Sequence, residues 1–173
     1  MLTVVEAEFL VHEHLGDSPR AAHSRFVAYV MRHLAGAFSA DAGLWETVGL
    51  CHDLDFFQTS GDWSRHGLVT IEWLGDRLPA DAKNAIASHD HRTGIQADTL
   101  LADMLKVADV IAVIDANLGR ELFCNLDRRD PYPALRRLLD DRPYLCEMLQ
   151  RYADKHVLPF TRIIAIVNDA PSQ

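Results

Sequence analysis

Apolar residues recur along this chain at spacings of three and four, and no stretch alternates for long enough to argue for a strand. Ser18-Pro19 reads as an N-cap followed by proline at the first helical position, ahead of a stripe made by Phe26, Val27, Val30, Met31 and Leu34. Gly36 and residues 39–43 end that helix. Residues 44–50 begin a second one, which runs directly into Cys51-His52-Asp53. Residues 56–62 are polar and contain glycine, so they read as a loop, and Leu68, Val69, Ile71, Trp73 and Leu74 mark a third helix that stops near Leu78-Pro79. A short helix opens at Pro79-Ala80-Asp81 and closes around Ser88-His89, before the break at Thr93-Gly94. Asp98 or Thr99 then caps a helix from Leu100 to about Leu118 that is apolar nearly all round, the mark of a central, buried element. After a turn at Asp130-Pro131-Tyr132-Pro133, residues 134–139, 144–156 and 160–167 read as three more helices. Ahead of Ser18 the pattern assigns no element. The prediction is an all-α chain in one domain over residues 1–173, with no repeats, no low-complexity segment and no dividing linker.

Composition narrows the function without choosing it. Hydrophobic residues make up 49% and charged residues 24%, the balance of a soluble globular protein. The net charge of −8 argues against a nucleic-acid partner, which calls for a basic surface, yet leaves room for a small phosphorylated substrate if bound cations reverse the local field. The three cysteines, Cys51, Cys124 and Cys146, are odd in number and form no CxxC pair, so neither a disulfide framework nor a thiolate zinc site is expected and a cytoplasmic location fits. Glu6, Glu8, His12 and Glu13 interrupt the N-terminus, against a signal peptide. The longest apolar run, residues 107–114, contains Asp109 and is too short to span a bilayer.

Nine histidines in 173 residues is a high count, and several stand where surface histidines do not. His23 falls on the stripe of Phe26, Val27, Val30 and Leu34; His52-Asp53 ends an apolar helix; His66 precedes Val69 and Thr70 by one turn; His89 closes the helix carrying Ala85 and Ile86. Asp109 lies within Val107-Ala108-Asp109-Val110-Ile111, where an unpaired carboxylate costs several kcal/mol or shifts its pKa until it neutralises. A buried arginine or histidine would satisfy it, and so would a metal ion. Singly, each histidine reads as a hydrogen-bonded core or surface residue. Together, inward-facing imidazoles and carboxylates on separate helices suit a borderline divalent cation.

The order of these residues resembles the HD superfamily of metal-dependent phosphohydrolases. His23, then His52-Asp53, then Asp109 match its H…HD…D signature, in the contexts AAHSRFVAYVMRHLA, VGLCHDLDF and LKVADVIAVI. RHGLVTIEWL and NAIASHDHR resemble the extra histidine segments of binuclear members. The resemblance spans roughly residues 18 to 120 and implies an HD-domain helical bundle; the helices over about residues 131–170 lie outside it and read as a C-terminal helical extension. It implies that His23, His52, Asp53 and Asp109 hold one metal and that His66 and His89 complete a second site, with Asp53 shared. The ligand types leave iron, manganese, zinc, nickel and cobalt undistinguished, and one or two ions both open. Hydrolysis of a phosphate ester or anhydride of a nucleotide or small phosphorylated metabolite, with metal-activated water as nucleophile, is the implied activity.

In one place the chain departs from the pattern. Many members continue HD with Ile-Gly-Lys, and this chain has Leu54-Asp55-Phe56, so a phosphate-contacting lysine is missing. Asp55 reads as a helix-end cap or an acceptor behind the ligands, or else as a catalytic proton acceptor beside Asp53. Arg20, Arg65, Arg92 and Lys106 lie near the expected ligands as candidate phosphate contacts, each also readable as a solvated salt bridge. His89 is preferred to His91 as a ligand by its spacing from Ile86, and Trp45, Trp63 and Trp73 read as core, with Trp63 near enough to His66 to border a cleft. The helices after Asp130 would either cover the core or form a homodimer interface. Two other functions share the same ligands: a di-iron oxygenase, and a non-catalytic signalling module.

Overall fold

Helix starts along the chain are set by short polar side chains that accept the first free backbone N–H groups. In the computed structural model, which describes residues 1–171, Ser18 accepts from Ala21 N–H at the head of α2 (Pro19–Ala37), and Asp41 accepts from Leu44 N–H at the head of α3 (Ala42–Cys51). Thr99, not Asp98, caps α6 (Leu100–Leu118). Between them stand α4 (Leu68–Leu74) and α5 (Ala80–Ser88), and beyond them α7 (Arg120–Cys124), α8 (Tyr132–Leu138), α9 (Pro143–Lys155) and α10 (Phe160–Asn168). Among the described residues there is no strand. The fold is an all-α helical bundle.

Three helices depart from expectation. A first helix, α1 (Val4–Leu15), opens on a full capping box, with Glu6 N–H donating to Thr3 Oγ1 and Thr3 N–H donating to Glu6 Oε2. Its stripe is blurred because Val5 and Phe9 face solvent while only Ala7, Val11 and Leu15 are buried, so periodicity misses it. The five-residue α7 is too short to display a period. α8 begins two residues ahead of its expected start, because Pro133 falls in its first turn, where a missing N–H costs nothing.

α6 is the centre of the bundle, as its all-round apolar sequence predicts: every residue from Leu101 to Ala108 is buried, and α2, α5 and α9 pack around it. Among the described residues, the α2–α3 pair packs most extensively. A Cβ on Gly49 would stand 2.5 Å from the Ala28 Cα, so only glycine lets the two backbones meet there.

One hydrophobic cluster runs from Leu2 to Ala170, which settles what the C-terminal helices do for the core. Leu145, Cys146, Leu149 and Ala153 of α9 are buried, and that helix packs on α6. The buried Asp103 carboxylate on α6 receives Lys155 Nζ at 2.6 Å and His156 Nε2 at 2.7 Å, so the end of α9 is clamped by paired charge. Trp45 is core, but Trp73 is 43% exposed and stacks on His14 of α1, ring centroids 4.5 Å apart. All three cysteines are free and buried, and burial pushes the Cys51 thiol up to about 12. Among the described residues, no helix is long and apolar enough to cross a membrane.

Candidate metal centre

The bundle delivers six polar side chains to one point from five places in the chain. His23 projects from the second turn of α2, and His52-Asp53 follow the last turn of α3. His66 ends a short 3-10 turn over Trp63–Arg65, His89 ends α5, and Asp109 comes from the middle of α6. Asp53 is the hub. Its Oδ1 lies 2.9 Å from His66 Nε2 and 3.4 Å from His89 Nε2, and its Oδ2 lies 3.3 Å from His52 Nε2 and 3.7 Å from His23 Nε2. Asp109 Oδ1 is 3.0 Å from His23 Nε2. Two overlapping sets, His23–His52–Asp109 and His52–Asp53–His89, each place their ligand atoms within 4.8 Å of one another.

Three of the imidazoles are oriented the same way. His52 Nδ1 pairs with the Gly49 carbonyl at 2.7 Å, His89 Nδ1 with the Ile86 carbonyl at 2.6 Å, and His66 Nδ1 with Asp55 Oδ1 at 2.8 Å. Each of those partners is an acceptor, so each Nδ1 carries a hydrogen and each Nε2 is turned to the centre. His66 Nε2 and His89 Nε2 face each other at 3.2 Å, a contact between two acceptors unless a proton or a cation lies with them. The buried Nε2 atoms of His23 and His52 make no hydrogen bond, although carboxylate oxygens lie close to both. Orphaned imidazole nitrogens that converge with two carboxylates fit a divalent cation, and nothing in the set favours one metal over another.

The electrostatics keep the carboxylates charged. Burial alone would raise Asp53, but His52, His66 and His89 more than offset it and hold the carboxyl well below its usual range. Asp109 is likewise resisted by burial, and the neighbouring His23 and His52 bring it down to about 2. Burial works against a charged His66 too, yet Asp53 and Asp55 on its two ring nitrogens raise it to about 9. Asp109 is less enclosed than its helix suggests: its side chain is 26% exposed, because that stretch of α6 borders an open cleft.

The sequence matches the HD domain family over residues 20–114, more than half of the chain. This chain belongs to the HD domain family. No curated protein and no solved structure gives a match beside it.

In this HD domain, Asp55 is placed behind the cage and not on the cleft. Its carboxylate is completely buried, with Oδ1 accepting from His66 Nδ1 and Oδ2 accepting from the N–H groups of Gly67 and Thr70 at 2.8 and 3.0 Å. It thereby caps α4, whose own N-cap position is Gly67. Only glycine serves there, because the backbone has φ +80° and a Cβ would meet the Ile86 carbonyl oxygen at 2.5 Å. Of the two readings of Asp55, this geometry is that of the cap and acceptor.

The candidate phosphate contacts divide. Arg20 and Arg92 line a cleft of about 390 Å³ that opens onto Asp53, His66, His89 and Asp109. Arg20 reaches Asp53 Oδ2 at 2.8 Å and lies over the Phe56 ring, 3.9 Å from its centroid. Arg92 is held by Asp90 and lies over Trp63 at 4.4 Å. Arg65 is not brought to the cleft; it pairs with Glu72 at 3.2 Å on a separate surface depression. Lys106 is not brought there either. Its buried ammonium donates to the carbonyls of Ser88 and His89, closing the C-terminal end of α5 and fixing the backbone of a cage residue. His89 reaches the cage while His91 points outward with its side chain 82% exposed. A cleft wall absent from the sequence reading comes from the C-terminal helices: Arg142, Tyr144, Leu145 and Met148, at the start of α9, face Asp109 across the opening. Their helix showed the right period, but nothing in one sequence says which helix lies over the site.

Proposed function

We propose that this HD domain is a metal-dependent phosphohydrolase that cleaves a phosphate ester or anhydride of a small phosphorylated metabolite, nucleotides among them. The observation that carries the reading is the set of inward, unpartnered Nε2 atoms around two ionised carboxylates at the floor of a cleft with two arginines on its walls. The family it belongs to consists mostly of phosphohydrolases. His23, His52, Asp53 and Asp109 would hold one cation, and His66 and His89 would complete a second position that shares Asp53. Bound divalent cations supply Lewis acidity, which makes water acidic enough to attack at neutral pH and draws charge from phosphoryl oxygens.

The chain's own groups do the rest. Arg20, whose Nη1 is on Asp53, and Arg92, whose Nε and Nη2 are on Asp90, offer their remaining guanidinium N–H groups to the non-bridging phosphoryl oxygens, and the Phe56 and Trp63 rings beneath them restrict both guanidinium planes. The surrounding imidazoles hold the Asp53 and Asp109 carboxyls below their usual range, so both are ionised at neutral pH. Asp55 holds the hydrogen on His66 Nδ1 and so keeps its Nε2 turned to the cleft floor.

The test is phosphate release from a panel of phosphomonoesters, nucleotides and pyrophosphate, by protein supplied separately with manganese, iron, nickel, cobalt and zinc. Turnover that Asp53→Asn loses is expected with at least one metal. Absence of phosphate release under every condition would sink the reading, and oxygen uptake by the iron-loaded protein would replace it with oxygenase chemistry.

A further inference from the structure

The cleft floor has a second, differently built wall. Beside Arg20 and His23 lies a depression of about 580 Å³ faced by Phe56, Phe57, Val113 and Ala116, continuous with the cage through Arg20, His23, Phe56 and Val113. The Phe57 ring is 54% exposed there, an aromatic surface left to water at the edge of the site. The polar side chains of this wall are few, and each has a partner within the protein. Ser18 Oγ accepts Ala21 N–H, Asn117 Nδ2 donates to the Val113 carbonyl at 2.6 Å, and Asn117 Oδ1 accepts from Arg142 at 3.3 Å. A base edge or a sugar ring pressed against Phe57, Val113 and Ala116 meets no hydrogen-bonding side chain there to replace its water. The opposite wall, with Arg92, Arg142 and Asp90, carries the charge.

We infer that this apolar wall binds the alcohol portion of the substrate, and that the substrate is therefore a phosphate monoester of an apolar alkyl or aryl alcohol and not of a nucleoside or a polyol. The inference rests on the phosphohydrolase reading and deepens it. A phosphoryl group held over the cage by Arg20 has its ester oxygen beside Phe56, so the carbon skeleton attached to that oxygen lies along Phe57, Val113 and Ala116. Apolar surface that leaves water on both sides then favours longer chains, methylene by methylene.

Two parallel series test it on manganese-supplied protein: turnover of ethyl, butyl, hexyl and phenyl phosphate beside glycerol phosphate and a nucleoside monophosphate, and calorimetric binding of the matching alkylphosphonates, which cannot be hydrolysed at the ester bond. In wild type, kcat/KM and phosphonate affinity should both rise roughly two- to fourfold per added methylene, the range for partial to full burial of each group. Phe57→Ser, at a surface position that leaves the core intact, should flatten both series. Phosphonate affinity that climbs with chain length without turnover of any ester would keep the apolar subsite and overturn the hydrolase reading instead. Turnover that ignores chain length, a preference for the nucleotide or glycerol phosphate, or phosphonate binding that is flat or absent would each overturn the inference.

Discussion

Replacing Asp55 by asparagine removes one negative charge and changes one atom from acceptor to donor, at a position with no access to water. The carboxylate now serves three donors: His66 Nδ1–H on one oxygen, and the N–H groups of Gly67 and Thr70 on the other. The amide can satisfy only one side. If its oxygen keeps the two backbone donors, its NH₂ faces the His66 hydrogen; if it turns, the head of α4 loses its cap. Losing one charge-assisted hydrogen bond costs about 1.5–3 kcal/mol, and the donor left buried and unpaired adds about 1–3 kcal/mol. A total of about 2.5–6 kcal/mol corresponds to a drop in Tm of roughly 5–24 °C for a chain of this size. The effect on the site is separate from the effect on stability. With an amide NH₂ facing Nδ1, His66 is driven toward the tautomer that carries its hydrogen on Nε2, and disruption of such a partner behind a ligand lowers metal affinity about 10–100-fold. Thermal unfolding by circular dichroism measures the first, and competition with a metallochromic chelator at 10 °C, below unfolding, measures the second. Asp55→Asn that unfolds within about 2 °C of wild type and binds metal with unchanged affinity would refute the assignment of Asp55 as cap and positioning residue, and would reopen a direct role in proton transfer.

Elemental analysis of wild-type protein should give up to two divalent ions per chain, with His66→Ala or His89→Ala retaining about one; equal content in all three would leave a mononuclear site. In chelator, the raised His66 value of about 9 stands above the ordinary histidine range. Its contribution to stability is therefore complete below about pH 6.5 and is lost as the pH rises through about 9. The Tm of the chelated protein should fall over that window, and His66→Gln should remove the part of the fall that wild type shows in excess; superimposable pH curves would contradict the charged pairing with Asp53 and Asp55.

The fold class was legible in the sequence because it rests on local rules, and the cage residues because their order resembles the H…HD…D signature. Caps such as Ser18, Asp41 and Thr99 act within three residues, and helical stripes put His23 inward with Phe26 and Val30 through the fixed period of the helix. α1 was equally present in the sequence, since Thr3 and Glu6 spell out its capping box, but its solvent-facing Val5 and Phe9 hid the stripe. The placement of charges was not legible. Arg20, Arg65, Arg92 and Lys106 are alike as letters, all near a ligand in sequence, and tertiary packing sends Arg20 and Arg92 to the cleft, Arg65 to Glu72 and Lys106 to two carbonyls at the end of α5. Long flexible side chains reach many partners, so only the arrangement of neighbouring helices decides which one is met. The same holds for Asp55, whose three donors come from a segment 11 to 15 residues further on, and for the apolar and cationic walls of the cleft. A helical period states which face of a helix is apolar. It does not state which other helix covers that face, because the answer lies in contacts between residues far apart in the chain, and those are set by the packing of the whole bundle.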